Sequence, residues 1–231
     1  MRRWIGVRLL LATVAWGMVA LPSHQHGTVR AATPVDDVVE RVQATCVRTQ
    51  DLSARFQQTA TNRTLGQVQE ASGLFLAKRP GMMRWAYEKP EVRLFVTDGK
   101  TLWAYSPAEK QVVVQDVADA MASRLPLSFL AGNCNLATDF DIALVEHAGT
   151  RRSPTTRILD LKPKRPEAGI VRMLLEVTTK GYTVEKTTLF DAYGNTTAIT
   201  LTHLKLNTGL DDAQFRFTPP PGVNVVTPGK P

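Results

Sequence analysis

Reactive side chains are scarce in this sequence. It has two cysteines and four histidines in 231 residues, and two of the histidines, His24 and His26, fall in an N-terminal stretch that reads as a leader. The other two, His147 and His203, stand apart with no partner at ligand spacing, whereas zinc needs three or four convergent ligands. Neither a metal nor a cofactor is expected. The chain contains no Gly-x-Ser-x-Gly elbow, no phosphate-binding Gly-x-x-x-x-Gly-Lys-Ser/Thr loop, no His-Glu-x-x-His and no dinucleotide glycine pattern. With no nucleophile or base to name, the reading is a non-enzyme. Basic clusters interleaved with aromatics are also missing, which argues against a nucleic-acid partner. Beyond residue 21 no apolar run approaches the ~20 residues needed to cross hydrocarbon.

Acidic residues are absent from the first 32 positions, and that absence is informative. Met1 to Arg8 carries three arginines, and Leu9 to Leu21 is almost wholly apolar. Small residues follow at Ala31-Ala32, so cleavage after Ala31 would put Val29 and Ala31 at the minus-three and minus-one places. Residues 1–32 read as a cleavable signal peptide, with an uncleaved anchor as the alternative. Four arginines lie in this stretch, so the net charge of +7 for the whole chain falls to +3 for residues 33–231. That length suits one domain with one substantial core, acting as a monomer.

Thr33-Pro34 offers a helix cap and first helical residue, and Asp36 and Asp37 place negative charge in the first turn. Val35, Val38, Val39, Val42 and Cys46 then follow helical spacing, which gives an amphipathic helix with one buried face. From Leu52 the pattern shortens to runs rich in Val, Thr and aromatics, placed as strands at 52–61, 67–78, 82–88, 92–98, 101–106, 110–115, 140–148, 155–162, 170–178, 182–190 and 196–206. Turn signals at Asp98-Gly99, Ser106-Pro107, Lys180-Gly181 and Gly194-Asn195 separate many of them. Short antiparallel strands in such a series imply a barrel or a strongly curved sheet. Between Val117 and Gly132, Pro126 splits two short helical patterns.

Alternation identifies an apolar face. Met83, Trp85 and Tyr87 share one side of their strand while Arg84 and Glu88 share the other, and in Val171 to Val177 the odd positions are all apolar. Such a face requires a cover, which is an ordinary core, a helix or a ligand. Around Leu201 to Leu206 the parity switches, as at a bulge or a strand end. Cys46 and Cys134 are either a disulfide joining the first helix to a later segment or two buried thiols; in an oxidising compartment the bridge would persist.

Three segments then occur in order: Lys78-Arg79-Pro80-Gly81-Met82-Met83-Arg84-Trp85, Asp98-Gly99-Lys100-Thr101-Leu102-Trp103-Ala104-Tyr105-Ser106-Pro107, and Phe215-Arg216-Phe217-Thr218-Pro219-Pro220-Pro221-Gly222-Val223. Together they resemble the periplasmic outer-membrane lipoprotein carrier family, the LolA-like proteins. The resemblance implies a mainly β fold, an unclosed antiparallel β-barrel with an α-helical lid, spanning 33–231. It also implies a periplasmic location and acylated lipoproteins as cargo. Cargo would be received from an inner-membrane ABC lipoprotein-releasing complex and passed to an outer-membrane acceptor lipoprotein. On this reading Met83, Trp85 and Tyr87, with Phe56, Phe75, Phe95 and Trp103 as neighbours, line the acyl site, and Leu127, Phe129 and Leu130 form the inner face of the lid. Arg79 falls on the arginine that latches the lid; otherwise it is a strand-end arginine fixing a turn. Two other readings keep a place: a carrier or sensor of another envelope lipid on the same fold, and an envelope hydrolase.

Overall fold

The computed structural model describes residues 33–118, 134–145, 155–165 and 169–228. The leader segment, the two helical patterns from residue 119 to 132 and the lid residues Leu127, Phe129 and Leu130 lie outside the described residues.

Helix α1, Pro34–Arg48, begins as its cap chemistry dictates. The Thr33 backbone N–H donates to Asp36 Oδ2 at 2.9 Å and the Asp36 N–H donates to Thr33 Oγ1 at 3.4 Å, a reciprocal arrangement that satisfies two otherwise orphaned donors. Val38, Val39 and Val42 form its buried face. The strands are β1 (Asp51–Asn62), β2 (Gln67–Lys78), β3 (Met82–Lys89), β4 (Arg93–Asp98), β5 (Thr101–Ser106) and β6 (Gln111–Asp116), then β7 (Phe140–Leu144), β8 (Thr156–Pro163), β9 (Arg172–Thr178), β10 (Val184–Phe190), β11 (Thr196–Leu206) and β12 (Asn224–Val226). A short helix α2, Leu136–Asp139, leads into β7, and a 3-10 turn at Asp212–Phe215 follows β11. The strand read over 140–148 ends at Leu144, and α2, the 3-10 turn and β12 had no signal strong enough to be placed from sequence.

All twelve strands form one sheet in the order β12-β6-β5-β4-β3-β2-β1-β11-β10-β9-β8-β7. Two meanders, β1 to β6 and β7 to β11, join where β1 pairs with β11. Every pairing is antiparallel except β12 on β6. Among the described residues the outer edges of β12 and β7 meet no further strand, so the sheet is unclosed.

Register carries a single apolar face across this junction. Leu159, Leu175, Thr187, Ile199 and Gln58 lie side by side across β8, β9, β10, β11 and β1, and Ala54, Phe75, Trp85 and Phe95 continue the same face across β1 to β4. Helix α1 covers the β7 to β9 part of it, where Val38, Val39 and Val42 pack with Phe140, Leu159, Leu161, Met173, Leu175 and Val177. The parity switch in β11 is a bulge: Ser53 pairs with Lys205 and Arg55 with Thr202, leaving His203 and Leu204 opposite Ala54 alone. His203 takes a φ of 53°, and the extra residue turns Leu204 and Leu206 to the side Leu201 faces.

Two glycines mark close approaches. A Cβ at Gly73 would stand 1.9 Å from the Ala86 carbonyl oxygen and 2.9 Å from Phe56 Cε1, so the ring of Phe56 lies where a side chain at 73 would be. Gly99, at φ 93°, lets the β4–β5 turn touch the β2–β3 turn; its Cβ would be 2.8 Å from the Pro80 carbonyl oxygen.

The opposite face of β3 to β6 is covered by the chain's own C-terminal segment. Phe215 is fully buried, Arg84 donates to the Gln214 carbonyl oxygen at 3.1 Å, and Phe217 packs on Tyr105 with ring centroids 5.3 Å apart. The segment ends as β12 against β6.

Candidate functional site

The aromatic residues of the inner face meet in one cluster. Ala54, Phe56, Phe75, Ala77, Met83, Trp85 and Leu201 are buried together, with Leu52, Tyr87, Phe95, Ile199 and Leu204 packed around them. Trp85 stacks on Phe75 with centroids 4.2 Å apart, and Phe56 presents edges to Trp85 and Tyr87, each at 4.9 Å. Phe95 closes the chain of rings 5.8 Å from Tyr87. These offset and edge-on contacts are the arrangements that aromatic quadrupoles favour. The Tyr87 hydroxyl donates to Gln58 Oε1 at 3.0 Å, and burial pushes its pKa up.

Six of the seven residues expected to line an acyl site are thus brought together, and Trp103 is not. Trp103 pairs with Val96, which pairs with Arg84, so it stands on the face opposite Trp85 and Phe95. Alternation reverses side at each step along a strand, and the β4–β5 register places Ala104, not Trp103, beside Phe95.

The open volume lies beside the rings and not among them. A crevice of about 680 Å³, part of it open to solvent, runs beneath the C-terminal half of α1. Val42, Thr45 and Cys46 form one wall. Leu52, Ala77, Leu201, Leu204 and Leu206 form the floor, and Tyr182 to Val184 one flank. Ala77, Leu201, Leu52 and Leu204 also belong to the aromatic cluster, while Val42, Tyr182 and Val184 belong to the cluster under α1. The crevice is therefore the seam between the two. The β11 leucines were missed as site residues, although the parity switch was the signal that turns them inward.

Arg79 stands at the rim of this crevice. Its Nε donates to the Thr49 carbonyl oxygen at 3.0 Å and its Nη2 to the Cys46 carbonyl oxygen at 3.1 Å, joining the Thr49 N–H, which also donates to the Cys46 oxygen at 3.2 Å, at the helix C-terminus. A cation is also favoured there by the helix dipole. Cys46 is joined to Cys134 by a disulfide with Cα atoms 5.7 Å apart, and Arg79 Nη2 faces both sulfurs. One guanidinium thus ties the β2–β3 turn to the end of α1 and to the start of the segment that leads into α2.

No group of three or more metal-ligating side chains occurs among the described residues. The fold and the site together define an unclosed β-barrel with an apolar interior reached beneath a helix. The family model of the outer membrane lipoprotein carrier protein LolA matches residues 48–218, and the chain belongs to that family. An outer-membrane lipoprotein carrier protein of Methylobacillus flagellatus is 33% identical over 190 residues, 82% of this chain and 89% of the relative. One from Azotobacter vinelandii is 32% identical over 221 residues, 94% and 96% of the two chains. Among solved structures, an uncharacterized conserved protein from Thermus thermophilus shares the fold with a TM-score of 0.54 at 18% identity, covering 83% of this chain and 98% of that one.

Proposed function

We propose that this protein carries acylated lipoproteins between the two membranes of the envelope, holding their acyl chains in the crevice and against the aromatic cluster. The observation that carries this reading is the seam itself: a crevice with an aliphatic floor and a polar rim, adjoining a ring-lined apolar face. Its family and its named relatives support the same reading.

The physical need is large. At ~0.8 kcal/mol per methylene, three chains of ~15 methylenes would cost on the order of 36 kcal/mol to leave fully exposed, an upper bound since free chains collapse. Uncharged contacts that lack many directional bonds let such a cargo be released to an acceptor that binds it better. Hydrocarbon lies between α1 and the floor of Leu52, Leu201, Leu204 and Leu206 and against Met83, Trp85, Tyr87, Phe56, Phe75 and Phe95. Arg79 is the latch: its bonds to the Thr49 and Cys46 carbonyls hold α1 down, and they break when the crevice opens. Residues 1–32 direct export to the periplasm and are removed, leaving 33–231 as one carrier domain. Cargo comes from an inner-membrane ABC complex and leaves to an outer-membrane acceptor lipoprotein.

Native mass spectrometry of protein prepared gently from the periplasm, followed by organic extraction, tests the reading. Co-purified triacylated lipoprotein is the expected result. Free phospholipid alone, with no transfer of lipoprotein from membranes, would replace it with a general lipid carrier.

A further inference from the structure

The aromatic cluster holds two side chains with polar tips, Trp85 and Tyr87, and the fold treats them differently. Tyr87 gives its proton to Gln58. Trp85, only 6% exposed, has its indole Nε1 buried, and among the described residues that nitrogen has no hydrogen-bond partner. Phe75 stacks on the indole and Phe56 sets its edge against it, so neither neighbour offers an oxygen. A buried donor without an acceptor is destabilising, and native folds rarely keep one without a reason. A phenyl ring would pack in this place with no orphan donor.

We infer that the indole N–H of Trp85 recognises acyl cargo by donating a hydrogen bond to a carbonyl oxygen, ester or amide, at the head of an acyl chain. This rests on the carrier reading and adds to it a chemical selectivity, for acyl over alkyl chains. A hydrocarbon tail carries no acceptor, whereas every acyl chain carries one carbonyl where it joins its headgroup. The position suits the task. Ala77 and Leu201 belong both to the crevice floor and to the cluster around Trp85, so the indole lies in the cluster that adjoins the crevice.

The test uses the purified protein labelled with ¹⁵N-tryptophan, titrated with 1,2-dioctanoylglycerol and with its ether analogue 1,2-dioctylglycerol, which lacks both carbonyls. Trp85→Phe identifies the indole resonance. The diester should move that resonance downfield and bind about two- to tenfold more tightly than the diether, and in Trp85→Phe the two should bind alike. The inference is overturned if both ligands bind and the indole resonance responds to them equally or not at all, or if the preference for the diester survives in Trp85→Phe. Should that variant not fold, the comparison of the two ligands on the unaltered protein decides. If neither ligand binds, the carrier reading itself fails, an outcome distinct from binding without selectivity.

Discussion

Asp51 opens β1 with a buried carboxylate that is fully engaged: Thr208 donates through its N–H at 2.8 Å and its hydroxyl at 3.1 Å, and Gly209 through its N–H at 2.9 Å. Burial raises its pKa, but these hydrogen bonds outweigh it and hold the group below the usual 3.8. The sign follows: the stabilisation is complete above the ordinary carboxylate value and is lost as pH falls through the folded-state value. Urea unfolding followed from pH 7 to pH 2.5 should show stability dropping at the acid end. Asp51→Asn should be about 1–2 kcal/mol less stable at neutral pH and flatter across that acid window. Asp51 could not be singled out from sequence, because its donors lie more than 150 residues away. The face of Met83, Trp85 and Tyr87 could be, since alternation within one strand needs no partner. Trp103 marks the limit of that method: its side depends on the register between β4 and β5, a quantity absent from either strand alone.

At the scale of elements, the β11 bulge joins a sequence irregularity to the shape of the crevice. Without the extra residue, Leu204 and Leu206 would turn to the opposite side from Leu201 and the crevice would lose part of its floor. The left-handed backbone at His203, φ 53°, is costly for any residue with a Cβ. His203→Gly should therefore raise the midpoint of thermal unfolding, by about 0.5–1 kcal/mol of stability, while leaving lipid binding unchanged. An unaltered or lowered midpoint would mean that the histidine ring contributes more than the backbone strain removes. Strand positions were largely legible because period-two patterns bounded by Gly and Pro persist whatever the tertiary contacts. The short elements α2, β12 and the 3-10 turn were not, since they exist through what they dock against: Phe215 and Phe217 against the outer face, and Asn224–Val226 against β6.

For the whole molecule, the Cys46–Cys134 bond closes a loop of 88 residues that includes the entire first meander. On the chain-entropy model, replacing both cysteines by serine should lower stability by about 4.5 kcal/mol, read from urea midpoints. Hydrogen exchange should then rise at the C-terminal turn of α1, which the bond and Arg79 jointly hold. The sequence left bridge and free thiols equally open, because pairing is a question of distance. Curvature and class were legible from strand count and spacing, whereas the place where the two meanders meet, β1 against β11, was not. Among the described residues the sheet has two free edges, on β12 and β7. A closed barrel has its radius fixed by strand number and shear; here neither constraint applies, so the two arms can flex apart or together while every ladder bond stays made. On the proposed carrier role, such a sheet is an elastic clasp whose bore adapts to its load, one set of side chains serving chains of different length and number.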